Sequence, residues 1–423
     1  MRRVLFTVAC VCACWATVPV ARAAETGPTL GEQIAQLEKQ VQALQDKRRA
    51  LLQSEIDAYL RDSFPARSAE GGGDWRDRTT LRGRMTIIFQ ATVDYCDENE
   101  HQVNGDVDLD FDFTLSERLS VFVHLTANTE GGFPPLGDGI RTASGLTDGI
   151  GVNGMKPTDP GSVTVYEAGI SWTVGVGDTD VHVQLGSIDP RTRTGQNAYA
   201  DDENTQFLNN LFDDSPSVLW LSDNTGRTVL GIHAWASFGA EKNVTLSGGW
   251  FNSPGQFFNN GQFYVQLHWS RQVSGRAMNF RLFGWIDEFF EDATGDGSAG
   301  GGVSWDWRLS EKVGVFVRLT GSGGDANPVE FDASLGAALF GMLSSRPDDV
   351  IGVAIGFISL QDGTSFGTFP EDVEIHFELY YKAMLEGGKL QVTPHVMFVT
   401  DPGGGTGVMD ALWIVGLRLF VPF

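Results

Sequence analysis

Hydrophobic and polar residues alternate one by one through most of the chain from residue 79 to its end. In DVDLDFDFTL at 106–115, every second residue is apolar, and the residues between are aspartates and one threonine. The same period of two runs through 79–95, 263–270, 278–287 and 373–383. Successive side chains of an extended strand point to opposite faces, so a period of two predicts strands with one apolar and one polar face.

The length of these strands favours a membrane barrel over a soluble sandwich. They run for about ten residues, as in a transmembrane β-barrel whose strands face lipid on one side and a polar lumen on the other. Sandwich strands average about five or six residues. No internal apolar run approaches the roughly 20 residues that a membrane helix needs. The predicted fold class is therefore all-β, a transmembrane antiparallel β-barrel.

Two near-copies of one segment predict two hairpins. LSERLSVFVHLT occupies 115–126 and LSEKVGVFVRLT occupies 309–320. Each copy leaves one alternating strand, passes a short polar turn and enters another. The repeat is thus interpreted as a reused barrel hairpin and not as a duplicated active site, with His124 and Arg318 at matching positions on the lumen side.

The N-terminus predicts a secretory signal peptide at 1–23. Two arginines precede the apolar stretch 4–18, and Ala21-Arg22-Ala23 has the small-x-small pattern of a cleavage site before Ala24. A lipid anchor at Cys10, Cys12 or Cys14 is the alternative. Cleavage leaves Cys96 alone, without a partner for an internal disulfide.

Charge argues against nucleic acid as a partner. The formal net charge is −24, and it becomes −27 without the signal, because residues 1–23 carry three of the 30 basic residues and none of the 54 acidic ones. A strongly acidic chain repels phosphate backbones.

A different period follows the signal. Leu30, Leu37, Leu44 and Leu51 recur every seven residues with Ile34 and Val41 between them. A heptad of this kind predicts a short α-helical coiled coil within 24–60, placed in the periplasm, and an amphipathic helix packed on its own chain is the alternative. The Pro, Gly and charge content of 61–78 is typical of a linker before the barrel at 79–423.

The chain shows no pattern of an enzyme. Its seven histidines are scattered along the predicted strands, and neither G-x-S-x-G nor H-E-x-x-H occurs. Alternation spreads the carboxylates of 106–112 along one face at about 7 Å spacing, and DATGDG at 292–297 has Val303 where a calcium loop needs its last glutamate. We expect no catalytic residue, no cofactor and no metal.

Several segments resemble the carbohydrate-selective porins of the OprB type. They include VQLGSIDPRTRTGQNAYADDENTQFLN, SLGAALFGMLSSRPDDVIGVAIG and the closing VEIHFELYYKAMLEGGKLQVTPHVMFVTDPGGG with DALWIVGLRLFVPF. The resemblance extends over most of 79–423 and is best in the last hundred residues. Pro394 matches the family, and Asp401 stands where the family usually has Asn. The alternating end at Phe423 resembles the terminal strand by which outer-membrane proteins are recognised for assembly.

What the resemblance implies is a barrel of about sixteen strands that passes sugars or other small polar solutes across the bacterial outer membrane. The coiled coil is similar to periplasmic extensions of other porins, which suggests a homotrimer and a possible contact with peptidoglycan. The alternative is an envelope tether, with a plugged barrel as its anchor and the coiled coil gripping the cell wall.

A pore selects by its diameter and by the groups that line it. Arginines on the predicted lumen face would oppose aspartates elsewhere on the wall and create a transverse field that holds polar sugars, and an aromatic face would add stacking. The alternative is that they are ordinary solvated wall residues. The candidate lumen-lining residues are Arg82, Arg84, Asp108, Asp110, Asp112, His124, Arg281, Trp285 and Arg318.

Overall fold

The computed structural model describes most of the chain from residue 78 onwards. The described residues are Lys39, 78–93, 101–128, 163–177, 179–218, 229–239, 241–252, 261–287, 297–323, 329–360, 373–402 and 411–423. The chain separates into two units, residues 1–72 and 73–423, and the barrel belongs to the second. The predicted signal peptide, the linker but for Arg78, Cys96 and, apart from Lys39, the predicted coiled coil lie outside the described residues.

Sixteen antiparallel strands form one closed barrel in which each strand pairs with its neighbours in sequence and β1 pairs with β16. The predicted all-β barrel is confirmed. The strands are β1 Thr79–Val93, β2 His101–Ser116, β3 Leu119–Asn128, β4 Val163–Val176, β5 Thr179–Ile188, β6 Val229–Phe238, β7 Val244–Asn252, β8 Gly261–Val273, β9 Arg276–Asp287, β10 Ser298–Ser310, β11 Val313–Gly323, β12 Val329–Phe340, β13 Val350–Leu360, β14 Val373–Leu385, β15 Leu390–Thr400 and β16 Ala411–Pro422.

The last residue of the chain closes the sheet. The amide of Gly83 on β1 donates to the carbonyl of Phe423, and the amide of Phe423 donates to the carbonyl of Gly83, both at 2.8 Å. From there the pairing runs on to Val93 opposite Trp413. Closure leaves no unpaired strand edge, which is the condition for a sheet to cross a bilayer.

The two rims of the barrel differ. Connections at the end where the chain terminates are short, and both repeated segments form two-residue hairpins there, as predicted, with a register irregularity just before each turn. Ser274 and Gly275 join β8 to β9 with positive φ at both positions, the twist that a two-residue turn requires. Most connections at the opposite rim are longer, and the one at 189–228 joins β5 to β6.

Large apolar side chains cover the outside of the barrel. More than thirty are exposed, and most occupy outward positions of the alternating strands, as Leu267 does on β8 and Ile355 on β13. Such a surface suits hydrocarbon and not water. Among the described residues, no helix has the length and apolar character needed to cross a membrane.

Aromatic rings lie over glycines on the inner wall. A Cβ at Gly352 would come within 2.1 Å of the Tyr380 ring, and one at Gly300 within 2.2 Å of Trp285. These rings lie flat along the wall because the neighbouring strand has no side chain there. The inner face therefore carries apolar surface that water would not cover favourably.

Candidate functional site

One connection folds into the barrel. The segment 189–218, which follows β5 and is called here the inner loop, contacts inward-facing residues of β1, β8, β10, β11, β12, β14 and β16. It holds a 3₁₀ turn at Arg191–Arg193 and one short α-helix, α1 (Asn210–Asp213). The Asn209 side chain caps α1 by accepting from the amide of Leu211. The inner loop is therefore held across the lumen from several sides of the wall.

Apolar packing is one of the interactions that keep the inner loop in place. Phe207, Leu211 and Phe212 of the inner loop are fully buried against the aromatic and aliphatic residues of β11 to β14. Phe207 stands edge-on to Tyr380 at 5.0 Å between ring centroids. Each such side chain contributes roughly 1.5–3 kcal/mol by leaving water. The core of the protein thus lies inside the barrel, between loop and wall.

Arg318 of β11 fastens the middle of the inner loop. Its Nη1 donates to the carbonyls of Phe212 at 3.1 Å and Asp214 at 2.8 Å. Its Nη2 donates to the carbonyl of Ala200 at 2.8 Å and faces Asp201 at 3.3 Å. The side chain is buried, and its charge is satisfied mainly by backbone oxygens. Arg318 therefore acts as an internal clamp.

Carboxylates of the wall fasten the loop from the other side. Glu378 of β14 accepts from the amides of Leu208 and Asn209 at 2.9 to 3.1 Å. Asp332 of β12 accepts from the amide of Ser217 at 2.9 Å and from its hydroxyl. Buried acceptors are costly unless they are hydrogen-bonded, so these contacts fix where the loop can lie.

The beginning of the inner loop is held by a bidentate ion pair. Asp189 accepts from Arg191 Nε on Oδ1 at 3.2 Å and from Nη2 on Oδ2 at 2.7 Å, and it also accepts from the hydroxyl of Tyr166. Burial opposes ionisation of Asp189, but Arg191 and Tyr166 hold its pKa below its ordinary value. Asp189 is thus an anion that fixes the first turn.

Other carboxyls of the inner loop have raised pKa values. Burial and the neighbouring Asp202 raise the pKa of Glu203 to about 7. Burial and the carboxyls of Glu203 and Asp201 hold the pKa of Asp213 well above its ordinary value. The loop therefore keeps protons that the unfolded chain would release.

This protonation predicts a pH dependence of the loop. A carboxyl with a raised folded pKa stabilises the fold below its unfolded pKa near 4, and this stability is lost as pH rises through the folded value. We expect the inner loop to be more mobile at about pH 8 than at about pH 5, seen as larger open-channel current noise in planar bilayers. Asp213→Asn, which is neutral at both pH values, should reduce the difference. Equal noise at the two pH values would contradict the prediction.

Six of the candidate residues lie together on β1 to β3. Arg84 Nε donates to Asp108 at 2.6 Å, and His124 Nε2 lies 3.1 Å from the other oxygen of the same carboxylate. Arg82 pairs with Asp112 at 2.8 Å, and Asp110 lies 3.9 Å from His124. The expectation that Arg82 and Arg84 oppose these aspartates across the lumen is wrong, because the pairs form between neighbouring strands.

The other three candidates are buried by the inner loop or by their neighbours. Arg281 of β9 pairs with Asp306 of β10 at 2.7 Å. Trp285 is 3% exposed and packs beside Phe283. Its ring faces are therefore not open to a sugar, contrary to the expectation. Arg318 is the clamp described above. Arg281 thus joins two strands of the wall, Trp285 packs within the wall, and Arg318 holds the inner loop.

Sequence reasoning missed Glu378 and Asp332. Both sit on the polar face of alternating strands, where a loop anchor and a solvated wall residue follow the same pattern. The available signal was the inner loop itself, a polar segment rich in Asp and Asn that still contains Phe207 and Phe212. Within the described residues, no group of His, Cys, Asp and Glu is arranged to hold a metal ion.

Comparison with known proteins agrees with this geometry. The family model "Carbohydrate-selective porin, OprB family" matches residues 285–423, the last third of the chain. A high-pH structure of Pseudomonas putida OprB is similar over 82% of this chain and 95% of its own, with a TM-score of 0.64 and 14% identity. Its low-pH structure covers 82% and 93%, with a TM-score of 0.52 and 11% identity. At such identities the structures show a shared fold. No curated protein sequence matches the chain.

Proposed function

We propose that this protein is an outer-membrane porin through which small polar solutes, carbohydrates above all, diffuse passively. The observation that carries the proposal is the inner loop, a polar segment held by buried charges across a closed sixteen-stranded barrel. The match of the last third of the chain to carbohydrate-selective porins supports sugars as the solute class.

Selection follows from the groups left open beside the loop. The wall at β1 to β3 presents Arg82 and Asp112, both substantially exposed, with Arg84 partly exposed beside them. A sugar sheds part of its water at the narrowest point and needs donors and acceptors in return. Paired charges supply both, which suits a polyhydroxylated solute.

The rims suggest the orientation. Short turns face the periplasm and long loops face outwards in bacterial barrels of this kind. The strand ends that carry the short turns also carry the start of β1 and Phe423. We infer that the residues before the barrel lie in the periplasm, where a coiled coil at 24–60 would join three copies and reach towards peptidoglycan.

The inner loop is also the observation that favours the second candidate, an envelope tether. A loop packed tightly enough would seal the lumen, and the barrel would then serve only as an anchor. The two functions differ in a single measurable property, which is whether the lumen conducts.

The test is solute passage through the purified full chain. We expect stepwise conductance in planar bilayers and swelling of proteoliposomes in glucose or maltose. A neutral non-sugar polyol of similar size should enter more slowly if the wall recognises sugars. Absence of both conductance and swelling would overturn the porin and support the tether. Equal entry of all solutes would leave a general pore and remove the sugar preference.

A further inference from the structure

Arg418 of β16 has half of its guanidinium unused. The side chain points to the inner face and is 1% exposed. Its Nη1 donates to the carbonyl of Glu203 in the inner loop at 2.5 Å. Its Nε and Nη2 are buried and have no hydrogen-bond partner among the described residues. A buried cationic donor without an acceptor is costly, so the free edge needs an explanation.

The free edge is the one that binds carboxylates elsewhere in this protein. Nε and Nη2 present two parallel N–H groups that match the two oxygens of a carboxylate. Arg191 uses these two atoms on the two oxygens of Asp189 at 3.2 and 2.7 Å, and Arg346 uses them on Asp349 at 2.8 and 3.1 Å. In Arg418 the same fork is aimed at no residue of the described chain.

The surroundings of Arg418 are polar and also incompletely paired. Thr393 of β15 is its direct partner in register, and Gln391 lies one inward position further on. Thr393 Oγ1 and Gln391 Oε1 are buried, and neither has a partner in the described part of the chain. Lys382 of β14 stands across from Thr393, because the flanking pairs are Tyr380 with His395 and Ala383 with Val392. Two cations and two unsatisfied oxygens thus share one patch of wall.

Acidic groups near this patch do not neutralise it by contact. Glu378, Asp202 and Glu203 attract Arg418 at longer range. Glu378 is already committed to the amides of Leu208 and Asn209. No ion pair joins Arg418 or Lys382 to a carboxylate of the described residues. Both cations of the patch therefore lack a contacting carboxylate among the described residues.

We propose that Arg418, Lys382, Thr393 and Gln391 form a binding site for a hydroxy acid, such as an acidic sugar. The inference rests on the proposed function and specifies a solute class for it. The carboxylate takes the free fork of Arg418 with Lys382 as the second cation. The hydroxyls donate to Gln391 Oε1 and exchange hydrogen bonds with Thr393.

A hydroxy acid fits this patch better than a neutral sugar or a simple anion. A neutral sugar leaves two adjacent cations without a contacting carboxylate. A simple anion such as chloride has no hydroxyl to donate to Gln391. The site lies between the loop anchor at Glu378 and the short-turn rim, and Lys382 is its partly exposed member.

The test compares gluconate with glucose as blockers of single-channel current in the full chain. We expect gluconate to block the native channel at lower concentration than glucose. Arg418→Lys keeps the charge and removes the fork, so it should weaken gluconate block by about tenfold or more, with little effect on glucose. Lys382→Gln should weaken it by a smaller factor without touching the contact to Glu203.

Lys389→Gln is the matched control, since it removes the same charge from an exposed turn on the same rim. This variant should leave the block of the current by gluconate and by glucose unchanged. Equal block by the two solutes, or equal weakening of both in Arg418→Lys and Lys382→Gln, would overturn the site and leave the patch filled by water. If the native channel does not conduct at all, the proposed function fails first. If it conducts and admits glucose without preferring gluconate, only the hydroxy-acid site fails.

Discussion

Replacing Arg318 by methionine is expected to free the inner loop from β11 and enlarge the channel. The substitution leaves the carbonyls of Ala200, Phe212 and Asp214 without their charged donor inside the barrel. Breaking a buried charge network by removing one partner costs about 3–5 kcal/mol. We expect a lower unfolding temperature and a larger, noisier single-channel conductance in planar bilayers.

Arg82→Met is the control for that result. Arg82 is exposed, and its pairing with Asp112 is an open ion pair of the kind that contributes about 0–1 kcal/mol. The control removes the same charge but no contact to the loop, so its stability and noise should stay close to native. A native-like conductance in Arg318→Met, with the stability loss also absent, would refute the clamp.

Gly352→Val is expected to prevent a stable barrel with its loop in place. A Cβ at this position would lie 2.1 Å from Tyr380 Cε1, so the ring must move. The same ring supports Phe207 of the inner loop. Overpacking of this kind costs about 1–3 kcal/mol, and the loss of the Phe207 contact adds to it. The measurement is the fraction of folded protein after refolding in detergent, read from its heat-modifiable migration.

Rescue by a second substitution separates the clash from a general intolerance of β13. Tyr380→Ala removes the ring that valine would strike, so the double variant should refold better than Gly352→Val alone. Gly284→Ala is the neutral control, because its nearest neighbour would be 3.4 Å away. Failure of the double variant to improve on Gly352→Val would show that the ring contact is not the cause.

The barrel was predictable from sequence because lipid imposes a simple rule. An outward position must be apolar along the whole strand, and this made the alternation readable without any contact information. The hairpins at Ser116 and Ser310 followed from the same period. Strand lengths were less accessible: β2 runs for sixteen residues and β7 for nine, since strands extend beyond the bilayer where pairing continues.

The environment of each inward-facing residue was harder to predict, because solvated positions and positions covered by the inner loop follow the same alternation. Arg82 and Arg318 both follow the alternation, yet Arg82 is open to water and Arg318 is 1% exposed beneath the loop. Only the path of 189–218 through the lumen separates them, and that path depends on contacts more than a hundred residues apart. Trp285 was misread for the same reason, since an aromatic on the polar face was assigned to a solute and not to packing.

The position of the inner loop also constrains how the protein assembles. The loop touches both strands that meet at the seam: Asn204 contacts Thr86 of β1, and Glu203 contacts Arg418 of β16. Segment 189–218 lies midway along the chain, before the last eleven strands. Its hydrogen bonds to Thr86 and Arg418 can both form only when β1 and β16 stand next to each other in the native register. The loop can thus serve as an internal template. Its polar groups are hydrogen-bonded when β1 and β16 pair in the native register, and they stay unsatisfied when the two strands are misaligned.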